Sequence, residues 1–344
     1  MSSIKLDFSG VANFGNKSNQ KIEPRSIFMS LSPKSDKFEY PRDVQTEVWN
    51  EWFKVRSNKN NIIKMNTGSG KTTVGLLILQ SCLNETGGPA VYVVPDNYLI
   101  DQVCQEASQL GLCVTQDPDS MNFGRGREIL VINIYDLFNG KSKYGMRTNN
   151  KNILFKNILI DDIHACLSTI QNQTSIKIDR RSALYEMVLN IFKDDLNEYD
   201  RGRMIDLERG DQYAEILVPF WIWQKKNDKV YEMISIFNAE EDKTFVLNDI
   251  IFKFPLIKDY FKTCSAIISS NNIEITTKSI PINKIRSFVQ SERRIFMTAT
   301  LADDSDLVTA LDIDPTSVTS AITPVNANDI GDRMILFPQV LVPA

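Results

Sequence analysis

Short apolar segments alternate with longer amphipathic or polar segments between residues 60 and 165. The apolar segments at 61–65, 90–94, 129–134 and 157–161 have the length of buried β-strands. Residues 74–83 form a continuous apolar run that fits a buried helix. Strands that alternate with helices pair in parallel and carry helices on both faces of the sheet. The pattern therefore predicts an α/β fold built on a parallel sheet.

The residues before the first strand divide into two parts. Residues 1–37 are polar and rich in Ser, Asn and Lys, which predicts a polar N-terminal arm. Residues 42–53 place Val44, Val48 and Trp52 four positions apart. This spacing is typical of an amphipathic helix that packs on the predicted sheet.

The segment between the first strand and the apolar helix has the composition of a phosphate-binding loop. Glycines at 68 and 70 allow backbone N–H groups to approach a polyphosphate, to which the helix N-terminus adds partial positive charge. Lys71 can then reach the β- and γ-phosphates, and the Thr72 hydroxyl can bind Mg²⁺. The general pattern has Gly at its first position, where this chain has Met65. The candidate nucleotide-binding residues of this segment are Asn66, Thr67, Gly68, Ser69, Gly70, Lys71, Thr72 and Thr73.

A second polar motif follows the strand at 157–161. Asp161 and Asp162 stand at its end, and His164, the single histidine of the chain, lies two residues further on. A phosphate-binding-loop enzyme places the carboxylate that holds Mg²⁺ after a buried strand. The two motifs lie about 90 residues apart. Together they predict a site for ATP and Mg²⁺.

The motifs resemble those of the first RecA-like domain of a superfamily 2 helicase of the DExH type, which is similar to the DEAD/DEAH-box proteins. Residues 67–72 match motif I, and residues 161–164 match motif II, with Asp162 where the family usually has Glu. Thr298 and Thr300 flank Ala299 in a match to motif III. Weaker matches comprise Arg42 with Gln45 upstream of motif I, Pro95 with Asn97 in motif Ia, and Tyr135 in motif Ib.

The resemblance implies a role for each matching residue. Lys71, Asp161, Asp162 and His164 form the catalytic set, in which Thr72 and Asp161 hold Mg²⁺ and Asp162 positions the attacking water. Arg42 and Gln45 belong to the nucleotide site, where Gln45 contacts the adenine edge. His164, Thr298 and Thr300 couple the nucleotide site to the nucleic-acid site, and Pro95, Asn97 and Tyr135 contact the nucleic-acid backbone.

The resemblance assigns residues 38–166 and 290–325 to the RecA-like domain and leaves 167–289 as an inserted accessory domain. About 135 residues separate motif II from motif III. Within this insertion, 183–192 and 230–237 have helical patterns, and 265–269 and 273–276 resemble strands, which predicts a mainly helical unit. Trp221 and Trp223 stand beside two lysines and could stack on single-stranded nucleic acid. Packing of both rings against the RecA-like core is the favoured alternative.

Composition adds limits to these predictions. The net charge of −4 argues against a domain that coats nucleic acid by bulk electrostatics, but not against local contacts to a few phosphates. No apolar run approaches the roughly 18 residues needed to cross a bilayer. The N-terminus has no signal-peptide pattern, and the five cysteines form no C-x-x-C pair. These features predict a cytoplasmic protein without a membrane partner.

The predicted function is the ATP-binding half of a nucleic-acid-dependent ATPase or helicase that translocates on DNA or RNA, with DNA favoured. Residues 326–344 resemble the start of a linker to a second RecA-like domain, so we expect either a truncated chain or a partner protein that supplies that domain. The isolated chain is expected to hydrolyse ATP slowly. Two alternatives stay open: an ATPase that remodels a protein complex, and a catalytically weak, nucleotide-responsive binding module.

Overall fold

The computed structural model describes residues 20–32, 34–146, 152–239, 245–299 and 305–325. Its strands are β1 (Asn60–Lys64), β2 (Ala90–Val94), β3 (Val114–Thr115), β4 (Ile129–Asn133), β5 (Asn157–Ile160), β6 (Ser175–Asp179), β7 (Glu215–Leu217), β8 (Ser265–Ser269), β9 (Asn272–Thr276) and β10 (Arg293–Thr298). Its helices are α1 (Pro24–Ser30), α2 (Asp43–Val55), α3 (Lys71–Thr86), α4 (Asn97–Leu110), α5 (Met121–Gly124), α6 (Ile134–Leu137), α7 (Ile163–Gln173), α8 (Ala183–Tyr199), α9 (Arg201–Arg209), α10 (Phe220–Ala239), α11 (Phe245–Ile257), α12 (Arg286–Gln290), α13 (Ser305–Leu311) and α14 (Pro315–Thr319).

The larger sheet has six strands in the order β1-β10-β5-β2-β4-β3, and every pair is parallel. The α/β fold with a parallel sheet is thus confirmed. Because parallel strands share a direction, the loops after β1, β10, β5, β2 and β4 all lie at one edge of the sheet. Both sequence motifs follow strands that end there.

The two faces of this sheet are covered by different sets of helices. Ile63 belongs to the hydrophobic cluster that also contains the buried residues of α1, α2, α3 and α4. Its neighbour Ile62 belongs to a second cluster, with α6 and α7. Successive side chains of a strand point to opposite faces, and here both faces are buried, which explains the continuous apolar runs in the sequence.

The segment between motif II and motif III contains α8, α9, α10, α11 and a second sheet. This sheet is antiparallel, in the order β6-β9-β8-β7. Phe192 of α8 and Ile273 of β9 belong to the same hydrophobic cluster as Ile62 and Ile160 of the parallel sheet. The apolar core therefore runs without a break from one sheet to the helices of the insertion.

Part of the predicted N-terminal arm is a packed helix. In α1, Ile27 and Phe28 are buried, and the Phe28 ring lies 5.6 Å from the ring of Trp49 in α2. The carbonyl of Lys21 accepts a hydrogen bond of 2.7 Å from Asn84 in α3. The apolar group at 27–29, which interrupts a polar segment, is thus the point at which this segment docks on the core. In the described part of the chain, no helix is long and apolar enough to cross a membrane.

Candidate functional site

A cavity of 420 Å³ opens at the carboxyl edge of the parallel sheet. Its walls are the loop after β1, the first turn of α3, Asp161 after β5, and residues that precede or begin α2. The lining residues are Lys37, Phe38, Tyr40, Arg42, Gln45, Thr67, Gly68, Gly70, Lys71, Thr72, Thr73, Gln102, Glu106 and Asp161. The structure thereby brings together residues from both sequence motifs.

Two glycines give the loop after β1 its shape. Gly68 and Gly70 have φ values of 86° and 84°, in the left-handed region that other residues rarely adopt. At Gly70, a Cβ atom would lie 2.2 Å from the side-chain nitrogen of Gln45, so a side chain there would displace the Gln45 amide from the loop. Inside the loop, Ser69 turns inward, where its hydroxyl donates a hydrogen bond of 2.6 Å to the Asn66 carbonyl.

Arg42 and Gln45 brace this loop from outside. The Arg42 guanidinium donates to the Gly68 carbonyl at 2.6 Å, and the Gln45 amide donates to the Gly70 carbonyl at 3.3 Å. The Gln45 side-chain oxygen accepts from the backbone N–H of Arg42 at 3.0 Å. Both ends of the Gln45 amide therefore have backbone partners, so contact with adenine would require Gln45 to exchange one of them.

The first turn of α3 supplies the polar floor of the cavity. Lys71 is the first residue of this helix, and Lys71 and Thr72 line the cavity beside the partial positive charge of the helix N-terminus. Thr73 also borders the cavity, but its side chain is buried and its hydroxyl donates to Glu106 of α4. The N-terminus of α3 is thus suited to a polyphosphate.

Asp161 is held by a tyrosine that the sequence motifs do not include. The Tyr92 hydroxyl donates to one carboxylate oxygen of Asp161 at 2.8 Å and also contacts the Thr72 side chain. The other carboxylate oxygen accepts from the Asp162 N–H at 2.9 Å. Burial raises the pKa of Asp161, while the Tyr92 hydrogen bond and the charge of Lys71 oppose that shift. Burial, and then the charge of Asp161, raise the pKa of Tyr92 well above its ordinary value.

Asp162 and His164 lie beyond Asp161 where β5 passes into α7. Asp162 has a φ of 45°, which Asp and Asn adopt more readily than most residues. It stands at the N-terminal cap position of α7, where its side chain makes no capping hydrogen bond. Among the described residues that line the cavity, Asp161 is present and Asp162 is not. His164 is the second residue of α7 and is partly buried.

The donor set fits Mg²⁺ held jointly with a nucleotide. In the described residues, no group of three or more His, Cys, Asp or Glu side chains could hold a metal by itself. Mg²⁺ is usually bound by one or two carboxylates together with substrate phosphates and water. Thr72 and Asp161, both in contact with the Tyr92 hydroxyl, provide a hydroxyl and a carboxylate at the end of the phosphate-binding loop.

The other predicted residues lie along the same edge of the sheet. Thr298 is buried at the end of β10, where its carbonyl accepts from the N–H of Met65 at 2.9 Å. Thr300 lies outside the described residues. Asn97, at the start of α4, accepts a hydrogen bond from Asn133 at the end of β4. Tyr135, two residues after Asn133, is 40% exposed.

The two tryptophans of the insertion have different environments. Trp223 is buried within the insertion, where it stacks on Phe192 with ring centroids 6.0 Å apart and an interplanar angle of 17°. Trp221 is 66% exposed. The adjacent lysines, 225 and 226, both form ion pairs with Asp195, at 2.6 and 2.9 Å. Trp223 therefore packs inside the insertion, against Phe192 and Phe261, and Trp221 is exposed, whereas the favoured alternative expected both rings to pack against the RecA-like core.

Substitution of Tyr92 by phenylalanine is expected to destabilise the fold by about 1–3 kcal/mol, because it removes a hydrogen bond to a partly buried carboxylate. Denaturant unfolding of the purified variant would measure this loss. Tyr185→Phe is the matched control, since its buried ring also carries one hydroxyl that donates to a neutral carbonyl, that of Ser269 at 2.8 Å. Equal losses of unfolding free energy in Tyr92→Phe and Tyr185→Phe would show that the charge of Asp161 does not strengthen the Tyr92 hydrogen bond.

Comparison with known proteins identifies the class of this domain. Residues 39–196 match the family described as "Type III restriction enzyme, res subunit". These residues include α2, the phosphate-binding loop and Asp161, that is, the elements that build the cavity. The chain therefore carries a RecA-like domain of the superfamily 2 helicase type, a helicase-type ATPase domain, and the resemblance in its motifs is confirmed.

Several solved structures are similar to this chain at low sequence identity. Xpd4 of S. tokodaii is 14% identical with a TM-score of 0.48, over 78% of this chain and 60% of that one. A structure named XPD helicase is 13% identical with a TM-score of 0.46, over 82% of this chain and 61% of that one. A truncated XPD is 11% identical with a TM-score of 0.42, over 82% of this chain and 99% of that one. The search of curated proteins found no match. This chain spans about 60% of the length of the first two structures.

Proposed function

We propose that this chain is the ATP-binding half of a nucleic-acid-dependent ATPase that couples hydrolysis to translocation along one strand, with DNA favoured over RNA. One observation carries the proposal. Lys71, Thr72 and Asp161, which come from two motifs 90 residues apart, line a single cavity at the carboxyl edge of a parallel sheet. This is the edge at which α/β sheets bind nucleotides.

The site residues have separable roles in this proposal. The N-terminus of α3 and Lys71 bind the phosphates of ATP, while Thr72 and Asp161 are the residues that would hold Mg²⁺. When bound, Mg²⁺ supplies positive charge to the phosphate oxygens. Tyr92 orients Asp161, and Asp162 directs the attacking water and accepts its proton. Arg42 and Gln45 keep the loop in its binding shape.

Nucleic acid would cross the same edge of the sheet, beyond the nucleotide. Pro95, Asn97 and Tyr135 follow the adjacent strands β2 and β4, and the hydrogen bond between Asn133 and Asn97 joins the two strand ends. His164 follows β5 and Thr298 is the last residue of β10, and both strands lie between β2 and β1 in the sheet. This order along the sheet supports coupling between the bound nucleotide and the affinity for nucleic acid.

We further infer that full activity requires a second RecA-like domain, supplied by the rest of a longer protein or by a partner chain. The cations that line the cavity among the described residues are Lys37, Arg42 and Lys71, of which Arg42 already binds the Gly68 carbonyl. An arginine supplied from outside commonly accelerates phosphoryl transfer by about 10³–10⁵-fold. The chain alone is therefore proposed to bind ATP and hydrolyse it slowly.

The test is the rate of ATP hydrolysis by the chain with single-stranded DNA, single-stranded RNA, duplex DNA or no nucleic acid. We expect nucleotide binding in every case, and turnover that rises with a single strand. An ATPase that is unaffected by every nucleic acid would argue against a nucleic-acid motor. Absence of nucleotide binding would remove the ATPase assignment itself.

Tyr40 is expected to contribute to binding of the nucleotide base. Tyr40 lines the cavity and is 72% exposed. Stacking of an aromatic ring on a base contributes about 1–3 kcal/mol. Tyr40→Ala should therefore weaken ATP binding by roughly tenfold in a calorimetric titration.

Inorganic tripolyphosphate is the matched ligand for this prediction, because it has the phosphates of ATP and lacks the base. Its affinity should be the same for Tyr40→Ala and for the original chain. A parallel loss of affinity for ATP and for tripolyphosphate would place Tyr40 in the support of the phosphate-binding loop and not against the base.

A further inference from the structure

A second large cavity, of 510 Å³, lies in the insertion between the start of α10, strand β7 and the junction of α8 with α9. None of the helicase motifs falls on it, but Trp221 and Trp223 both line it. Its lining is mixed: aromatic and aliphatic side chains form one wall, Arg203 and Lys278 provide positive charge, and Asp200 is the one acidic residue among the described lining residues. Its volume falls within the range of about 300–1,000 Å³ typical of sites for small ligands or for single groups of a polymer.

Exposed aromatic rings dominate the apolar wall. Phe220 is 62% exposed, Trp221 is 66% exposed, and Tyr199 is 55% exposed. Tyr199 meets Trp221 at an interplanar angle of 74° with ring centroids 6.0 Å apart. Three large rings at one site leave apolar surface in contact with water, which is unfavourable unless a ligand covers it.

The backbone that carries Trp221 is firmly anchored. Trp223, two residues further along α10, is buried, and its indole N–H donates to the Phe261 carbonyl at 3.2 Å. The start of α10 is thus fixed to the core, and Trp221 is presented to solvent from a rigid position. A preorganised ring loses little conformational freedom when a ligand stacks on it.

The cations at this cavity are available to an anionic ligand. Arg203 is 63% exposed, and its ion pair with Asp200, at 3.5 Å, is open to solvent and therefore weak. Lys278 is also exposed. Lys225 and Lys226, which are closer to Trp221 in sequence, are instead held by Asp195. Positive charge at the cavity thus comes from Arg203 and Lys278.

We propose that this cavity binds single-stranded nucleic acid, with a base stacked on Trp221 and the neighbouring phosphates on Arg203 and Lys278. Aromatic platforms flanked by cations are the usual means of binding single strands without sequence preference. A protein partner would typically need about 800 Å² of complementary surface, whereas these rings line a concave site. The proposal rests on the proposed function, since it adds a second contact for the same nucleic-acid partner.

Intrinsic fluorescence provides a direct test. Of the four tryptophans in the chain, Trp49, Trp52 and Trp223 are at most 1% exposed, so Trp221 is the one that a ligand in solution can reach. Oligothymidylate or oligouridylate that stacks there should quench part of the fluorescence. Trp221→Ala should abolish the quenching and weaken oligonucleotide binding, measured by anisotropy, by roughly tenfold. Circular dichroism would verify that the variant is folded.

The matched control is Tyr213→Ala, because Tyr213 is an 84% exposed aromatic residue of the insertion that does not line the cavity. It should leave affinity and quenching unchanged. Arg203→Gln and Lys278→Gln should each weaken binding and lower its dependence on salt concentration.

The outcomes separate this proposal from the proposed function. If oligonucleotides bind and stimulate the ATPase, but Trp221→Ala changes neither quenching nor affinity, the cavity proposal is wrong and the proposed function stands. If light scattering instead shows a dimer of the chain that Trp221→Ala dissociates, the cavity is a surface for self-association and the proposal is overturned. If no oligonucleotide binds and none stimulates the ATPase, the proposed function fails, and the cavity proposal fails with it.

Discussion

Replacement of Lys71 by alanine is expected to abolish measurable ATP hydrolysis and to weaken ATP binding by about 10–100-fold. The binding loss corresponds to one hydrogen bond from a charged group, which contributes about 1.5–3 kcal/mol. The loss in rate should be larger, about 10²–10³-fold, because charge builds on the phosphate oxygens in the transition state. Titration with a fluorescent ATP analogue and a steady-state phosphate-release assay measure the two effects separately.

Lys54→Ala is the matched control for Lys71→Ala. Lys54 is exposed on α2 and forms an ion pair of 2.6 Å with Glu51, away from the cavity. Alanine suits both helices, so neither substitution should disturb the fold. Lys54→Ala should bind and hydrolyse ATP as the original chain does. Normal nucleotide affinity in Lys71→Ala would mean that the phosphates do not lie at the N-terminus of α3.

The sequence predicts the parallel sheet and the main site residues because both depend on local features. Strands buried on both faces need continuous apolar runs, so 90–94 and 157–161 could be recognised without knowledge of their partners. Polar residues that line the cavity follow such strands directly, as Asp161 does. The glycines at 68 and 70 are required by left-handed backbone at those positions. A phosphate-binding loop therefore leaves a strong mark on the sequence.

Contacts that depend on the tertiary fold have no comparable local pattern in the sequence. Tyr92 stands inside the apolar run of β2, and only the pairing of β2 with β5 brings its hydroxyl to Asp161. Tyr40 precedes α2 by a few residues and reaches the cavity because α2 packs beside the phosphate-binding loop. The exposure of Trp221 and the burial of Trp223 depend on which side of α10 faces Phe192. A tyrosine within an otherwise aliphatic buried strand is the one signal that could have suggested Tyr92.

Substitution of Asp162 by asparagine is expected to reduce ATP turnover by about 10²–10⁴-fold while nucleotide affinity stays within twofold of the original. The range is the usual contribution of a general base. Asparagine is the informative replacement, because Asp162 has a φ of 45° and asparagine tolerates this left-handed conformation. It removes the negative charge without the backbone strain that alanine would add. Single-turnover hydrolysis of pre-bound ATP measures the chemical step independently of binding.

Asp162→Glu completes this experiment. Glutamate is one methylene longer and is the residue usual at this position in the helicase motif, so it should bring the carboxylate nearer to the water and raise turnover above that of the original chain. The left-handed backbone disfavours glutamate at this position, so its stability must be compared in parallel. Equally slow hydrolysis by the original chain, Asp162→Asn and Asp162→Glu would mean that residue 162 does not limit the rate. The limiting group would then be one supplied from outside this domain, such as an arginine. Unchanged hydrolysis in Asp162→Asn would assign the water to another residue.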